Sequence, residues 1–396
     1  MLMKLYNART RSVEEFLPQS KKSITMYVCG ITPNNAAHLG HAFTYVSFDV
    51  LIRFLRYLDY NVKYVQNVTD INDSDDVIKQ ANETHKTWQE VATYWTNDYL
   101  QYMDELNVQR PNDFIKATHV MPKILEIIGK LVETNYAYEK NGFVYFDTQK
   151  HKVYGILDHF SDRELLLLSK ERGNNTQDLN KKHPLDFVLW FKSQHNEPSW
   201  PSRYGPGRPG WHIECSAIIL QYLGNQIDIH GGGRDLLFPH HESEIAQSEA
   251  YTNNAPFVNV WMHTAMVMYK GDKMSKSLGN LILIKDVLQK YTGNQLRWYL
   301  LSKKYRNEFA YQEEDLEKAA LEINTILSIL SKFSTKKAVA INRHDFDQIL
   351  LNDLNLPLAL EYIKTICSRI TDSNTTESLT NVALVKSCLE TLGIVV

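Results

Sequence analysis

Ile24-Thr25-Met26-Tyr27-Val28-Cys29, a turn from Gly30 through Ala37, His38-Leu39-Gly40-His41 at the head of an apolar run to about Tyr60, and Val62-Lys63-Tyr64-Val65-Gln66-Asn67: this stretch decides the fold. Apolar residues alternate through 24–29, as a strand with one face buried requires. Pro33, Asn34 and Asn35 punctuate a turn. The run after His38 has helical spacing, and 62–67 reads as a second strand. Strand, turn, helix, strand is a βαβ unit, which predicts a parallel sheet with helices on both faces. In such sheets functional groups gather at the carboxyl ends of the strands. Cys29 to His41 and Asn67 to Asp70 both fall there.

Outward from this unit, residues 111–205 read as a connective insertion, with a helix from Met121 to Val132 and a hairpin near Asn141–Asp147. The sheet resumes with Ile227–His230 and Val258–His263. Leu316, Ala320, Ile323, Leu327 and Leu330 recur at three- and four-residue spacing, so the chain becomes helical beyond about Asn307. A polar break at 331–345 and a helical pair at about 357–370 and 376–391 follow. The expected architecture is α/β: a doubly wound, Rossmann-type parallel sheet with an inserted connective subdomain and a C-terminal helical bundle. Its divisions are 1–110 (first half of the catalytic domain), 111–205 (connective insertion), 206–305 (second half) and 306–396 (bundle).

The 396 residues carry 43% hydrophobic and 22% charged side chains and a net charge of −3. This is an ordinary globular composition, with no global electrostatic pull toward nucleic acid. The first residues lack the apolar stretch of a signal peptide, and no apolar run approaches the roughly 20 residues of a membrane span. A cytoplasmic, monomeric enzyme without membrane contact is expected. Of four cysteines, Cys367 and Cys388 sit in apolar helical stretches and read as core. Cys29 and Cys215 sit among glycine, histidine and proline.

A helix amino terminus offers unpaired N–H groups and a positive dipole end. His38 and His41 there can donate to an ATP α-phosphate, with Gly40 admitting the nucleotide without a Cβ in the way. Lys273-Met274-Ser275-Lys276-Ser277 is a glycine-flanked loop whose lysines suit the outer phosphates. Magnesium is expected on the polyphosphate. Cys29, Cys215 and, four residues apart in Pro239-His240-His241-Glu242-Ser243-Glu244, a histidine and Glu244 form a set suited to tetrahedral zinc. His240 and His241 are equally placed by spacing.

The His-x-Gly-His and lysine-loop pair resembles class I aminoacyl-tRNA synthetases. Met26-Tyr27-Val28-Cys29-Gly30, Tyr64 to Asp70, Gly207 to Cys215, His230-Gly231-Gly232-Gly233 and Phe238 to Glu242 resemble cysteinyl-tRNA synthetase and its relative, the mycothiol-pathway ligase. The resemblance implies cysteinyl-adenylate formation from ATP and L-cysteine. It implies catalytic roles for His38, His41, Lys273 and Lys276, and zinc ligation by Cys29, Cys215, His240 and Glu244. It places Thr32, Thr69 and Trp211 against cysteine. Thr32, Gly40, Thr44, Asn67, Gly231, Gly232, Gly233, Asp235 and Val267 fall against ATP or the adenylate. Zinc beside an adenylate site has a chemical reason, since it binds a thiolate well and a serine hydroxyl poorly.

Four features of the resemblance favour a small amine acceptor such as glucosaminyl-inositol: Gly30-Ile31-Thr32-Pro33, the second histidine His41 in His38-Leu39-Gly40-His41-Ala42, Glu171-Arg172-Gly173, and Trp200-Pro201-Ser202 with Gly205-Pro206-Gly207. The end of the sequence at Val396, where the synthetases continue into an anticodon-reading segment, points the same way. Glu244 points instead to tRNA, the alternative acceptor, and Asn174-Asn175-Thr176 departs from the ligase's loop.

Overall fold

The computed structural model describes residues 2–71, 76–157, 159–195, 197–274, 279–333, 340–371 and 375–396. Strands β1 (Ser23–Ile31), β2 (Asn61–Val68), β3 (Asp113–Lys116), β4 (Ile227–Gly233) and β5 (Val258–Thr264) form one sheet in the order β5-β4-β1-β2-β3. All four pairings are parallel. The order reverses between β1 and β4, so the crevice at their carboxyl ends is the switch point where doubly wound sheets bind ligands.

Alternation along β1 sorts its side chains to two cores. Ile24, Met26 and Val28 face helix α1 (Leu39–Tyr57) and the C-terminal helices. Tyr27 and Cys29 face helix α2 (Trp211–Tyr222) and the connective region. The β1–β2 register slips between Val28 and Ile31, a bulge at Cys29-Gly30. A bulge re-aims the side chain it carries. Gly30 is required there, because a Cβ would lie 1.7 Å from the Asn67 carbonyl oxygen.

Helix α1 is buried along most of its length and carries Asp49, buried against the equally buried Arg297 of Gly293–Leu301. A paired guanidinium makes such a buried carboxylate tolerable. The connective region carries an antiparallel sheet ordered Ala137–Lys140, Phe143–Phe146, Phe187–Lys192, Gly207–Pro209. The C-terminal helices are Glu313–Ser331, His344–Leu351, Leu356–Cys367 and Thr376–Thr391. No helix among the described residues is long and apolar enough to cross a membrane.

Three sequence expectations shift. The main sheet keeps its edge strand β3 inside the stretch read as insertion, so the connective region begins after Lys116 rather than at 111. It also runs past 205, because Gly207–Pro209 pairs with Phe187–Lys192. Helix His344–Leu351 begins inside the segment read as a polar break.

Candidate active site and metal centre

The carboxyl ends of β1 and β4 and the start of α1 enclose a cavity of about 360 Å³. Cys29, Thr32, His38, Gly40, His41, Thr44, Asn67, Thr69, Trp211, Cys215, Gly233, Asp235, His240 and Val267, all singled out by sequence, line it together.

His38 and His41 begin α1 as a capping box built from imidazoles. The Gly40 N–H donates to His38 Nδ1 at 3.1 Å, and the His38 N–H donates to His41 Nδ1 at 3.2 Å. In each ring Nδ1 accepts, so the proton of the neutral ring sits on Nε2. Burial holds His38 neutral, its pKa lowered to about 4 against the opposing pull of Asp235. Burial, and then the closeness of a second titratable ring in His38, lower His41 well below the usual histidine range. The motif therefore offers two neutral N–H donors beside a helix amino terminus. Gly40 has a reason beyond nucleotide access: its Cβ would meet His38 Cε1 at 2.8 Å and Nδ1 at 3.0 Å, displacing the ring.

The segment after the lysine loop is tied to this same helix start. The Leu39 N–H donates to the Ile282 carbonyl at 2.9 Å and the Ile284 N–H to the Ala37 carbonyl at 3.0 Å. Before the loop, Asp272–Lys273 pairs antiparallel with Val267–Tyr269 across Lys270 (φ 52°) and Gly271 (φ 90°). Two consecutive positive φ values are those of a tight hairpin turn, which is the work of Gly271 here. Met274 is buried and lines the cavity. Lys276 and the side chain of Lys273 lie outside the described residues.

On the opposite wall, Cys29, Cys215, His240 and Glu244 are all buried, with one ligand atom from each lying within 4.8 Å of every other. Cys29 Sγ is 4.0 Å from Cys215 Sγ and 3.8 Å from Glu244 Oε1, which is 3.1 Å from His240 Nε2. Ligands at 2.0–2.3 Å from one tetrahedral zinc lie roughly 3.3–3.8 Å apart, so the residues fit the ion. Burial pushes the Glu244 carboxyl and both thiols above their ordinary pKa values, a cost a bound cation would offset.

A second set, Cys29, His230, His241 and Glu244, overlaps the first. Neither His230 nor His241 lines the cavity. His241 Nδ1 is engaged by His263 Nε2 at 2.7 Å, and His230 Nε2 by Glu244 Oε2 at 3.0 Å. His240 faces the cavity with Trp211 stacked on it, centroids 4.3 Å apart. Of the two sets, only the one with His240 has its histidine on the cavity, and His230 lies against the Glu244 carboxylate from behind. The four-residue spacing puts His240 and Glu244 on one helical face, because the only non-helical residue of the turn, Phe238, precedes both. His240 lies in the π-turn Leu237–His241, and Glu244 is in helix α3 (Glu242–Thr252). Such turns often mark functional sites.

Gly231 and Gly232 are not in the cavity lining. A Cβ at Gly231 would meet the Phe48 ring of α1 at 2.2 Å, and one at Gly232 would meet Leu236 at 2.9 Å. Their role is close packing of β4 on its neighbours, whereas Gly233 and Asp235 reach the cavity. Asn67 is engaged by the chain itself, accepting from the Gly30 N–H at 2.7 Å and donating to Thr69 Oγ1 at 3.0 Å. Sequence reasoning missed Asn34, Asn35, Tyr45 and Met266 in the lining. The asparagines were visible as turn residues. Tyr45 was visible one residue beyond Thr44, and its hydroxyl donates to the Cys29 carbonyl at 2.9 Å.

The model of tRNA synthetases class I (C) catalytic domains matches residues 15–321. The chain belongs to this family. It is accordingly an enzyme of the ATP-dependent class I aminoacyl-tRNA ligases. The chain is 43% identical to the cysteine–tRNA ligase of Dehalococcoides mccartyi, over 91% of its own length and 79% of that protein. It is 44% identical to the Escherichia coli cysteine–tRNA ligase, over 86% of its length and 72% of that protein. Among solved structures, Mycobacterium tuberculosis methionyl-tRNA synthetase bound by methionyl-adenylate superposes with a TM-score of 0.67 at 14% identity, covering 94% of this chain and 92% of that one. A putative arginyl-tRNA synthetase from Campylobacter jejuni gives 0.59 at 15%, covering 95% and 94%. These two establish the class I fold of this synthetase-family chain.

Proposed function

We propose that this enzyme activates L-cysteine with ATP and transfers the cysteinyl group to the 3′ end of a tRNA. The observation that carries the reading is the joining, in one cavity, of a phosphate-binding helix start and a Cys-Cys-His-Glu ligand set. ATP enters as its magnesium complex, with the α-phosphate toward Nε2–H of His38 and His41. The cysteine carboxylate oxygen attacks the α-phosphorus, the bond to the bridging oxygen breaks, and pyrophosphate leaves toward Lys273 and Lys276. Thr32, Thr69 and Trp211 surround the amino acid. Cys29, Cys215, His240 and Glu244 would hold a zinc ion that takes the substrate thiol as thiolate. A tRNA ribose hydroxyl oxygen then bonds to the carbonyl carbon, the bond from that carbon to the phosphate oxygen breaks, and AMP departs with the hydroxyl proton taken up by its phosphate.

The expectation of a small amine acceptor gives way to tRNA, because the relatives aligned over about nine-tenths of this chain are named as cysteine–tRNA ligases. Charging of purified tRNA with labelled cysteine tests the choice. Cysteinyl transfer to tRNA supports it, whereas transfer to an amino sugar with none to tRNA overturns it.

A further inference from the structure

Cys29 and Cys215 are 186 positions apart in sequence, yet their sulfurs stand 4.0 Å apart and both line the catalytic cavity. Cys29 is 5% exposed and Cys215 1%, so the cavity is the route by which a small reagent reaches them. A tetrahedral zinc holds two thiolates roughly 3.8 Å apart, and a disulfide holds its sulfurs at about 2.05 Å. The two states of this pair therefore differ by a closure of about 2 Å. Cys29 sits in the bulge of β1, where the ladder to β2 is interrupted between Val28 and Ile31, and Cys215 is in α2. The closure is asked of two side chains, with no sheet pairing at Cys29 to break.

The other two cysteines supply the contrast. Cys367 and Cys388 pack in the apolar core of the C-terminal helices, and burial pushes their thiols up to about 11 and about 12. Neither lines the catalytic cavity. A thiol kept protonated in a core is inert to peroxide. A thiolate that faces a cavity, with a second cysteine beside it, is the arrangement that oxidises to a disulfide. A metal-bound thiol is deprotonated outright, so the ligand set keeps this pair, and not the other, in the reactive form.

We propose that Cys29 and Cys215 are a site of reversible oxidation: hydrogen peroxide entering the cavity joins them as a disulfide, the metal is released, and cysteine activation stops. This rests on the zinc reading of the Cys-Cys-His-Glu set. Cys29, the more exposed of the two, reacts first. Its sulfur bonds to one peroxide oxygen, the O–O bond breaks, and the departing hydroxide takes a proton from solvent and leaves as water. Cys29 is then a sulfenic acid. The Cys215 sulfur attacks the Cys29 sulfur, the S–O bond breaks, and a second hydroxide leaves, again protonated from solvent. Two thiolates, one hydrogen peroxide and two protons become one disulfide and two waters; the sulfurs give up two electrons and the peroxide oxygens take them. Only His240 and Glu244 of the four ligands remain, too few for a closed tetrahedral site. His38 and His41 lie on the opposite wall, so the oxidised enzyme loses its hold on the substrate thiol and keeps its phosphate-binding helix start.

Titration of the zinc-loaded enzyme with hydrogen peroxide tests this without relying on activity alone. Two of the four thiols should disappear in step with the zinc, the thiols counted after denaturation and the metal captured by a chromogenic chelator. A digest should then contain Cys29 and Cys215 in one disulfide-linked peptide. Cysteine-dependent ATP–pyrophosphate exchange should be lost over the same titration while ATP still binds, and dithiothreitol with zinc should restore it. Cys367→Ala and Cys388→Ala enzymes should each still lose two thiols. Zinc and all four thiols retained at peroxide concentrations that oxidise free cysteine would overturn the oxidation site and leave the zinc reading standing. Oxidation that stops at Cys29, or a disulfide joining any other pair, would overturn it as well. An enzyme that holds no zinc yet forms the Cys29–Cys215 bond would do the reverse, overturning the zinc reading and supporting the oxidation site.

Discussion

Replacing His41 separates the two jobs the structure gives it. Its Nδ1 accepts from the His38 N–H at 3.2 Å, closing the cap of α1, and its Nε2 carries the proton offered to the α-phosphate. Alanine removes both. Loss of a cap acceptor costs about 1 kcal/mol of stability. Loss of one preorganised donor to charge developing in a transition state costs about 10²–10³ in rate, or about 3–4 kcal/mol. Asparagine keeps an oxygen at the position of Nδ1 and adds an amide donor of shorter reach. In urea unfolding, His41→Ala should lose about 1 kcal/mol and His41→Asn should recover most of it. In cysteine-dependent ATP–pyrophosphate exchange, His41→Ala should fall by two to three orders of magnitude, with His41→Asn between it and the wild type. A folded His41→Ala enzyme exchanging within threefold of the wild type would refute the donor role. Equal stability of the two variants would refute the capping role.

Further outcomes follow from the same geometry. The enzyme should carry about one equivalent of zinc, lost or greatly weakened in Cys215→Ser, by metal analysis of the purified protein; full retention would show that the ligand set is wrong. Gly231→Ala should destabilise by about 1–3 kcal/mol or more through collision with Phe48, with KM for ATP unchanged in the folded fraction; a kinetic effect without a stability effect would return Gly231 to the nucleotide. The folded pKa of His38 is lowered to about 4, so between about 6.5 and about 4 the unfolded chain binds the more protons. The contribution of His38 is therefore complete above about pH 6.5 and lost as pH falls through that window; His38→Asn should flatten the acid side of the urea-midpoint profile, and an unaltered slope would contradict the neutral assignment.

Much of this was legible in the chain because it is local. Alternation in 24–29 separates the residues facing α1 from those facing α2, which puts Cys29 and Cys215 on the same side of the sheet. His-x-Gly-His is a cap written in histidine. Other features depend on what the fold brings from far away. Asp113-Phe114-Ile115-Lys116 is half-buried throughout and pairs on one edge only, so its pattern carries little signal of the main sheet. Nothing in Gly231-Gly232-Gly233 tells that two of three glycines answer to Phe48, Leu236 and His241 rather than to a nucleotide. The choice between His240 and His241 turns on which ring lines the cavity, and that is set by Trp211, which stacks on His240 from another helix.

The central claim is that this cavity activates cysteine and selects it through its thiol. ATP–pyrophosphate exchange measured with each proteinogenic amino acid, before and after zinc is stripped and restored, addresses it most directly. The account predicts exchange with cysteine alone, abolished on stripping and recovered with zinc. Exchange with serine at a rate comparable to cysteine, or cysteine exchange indifferent to zinc, would contradict it.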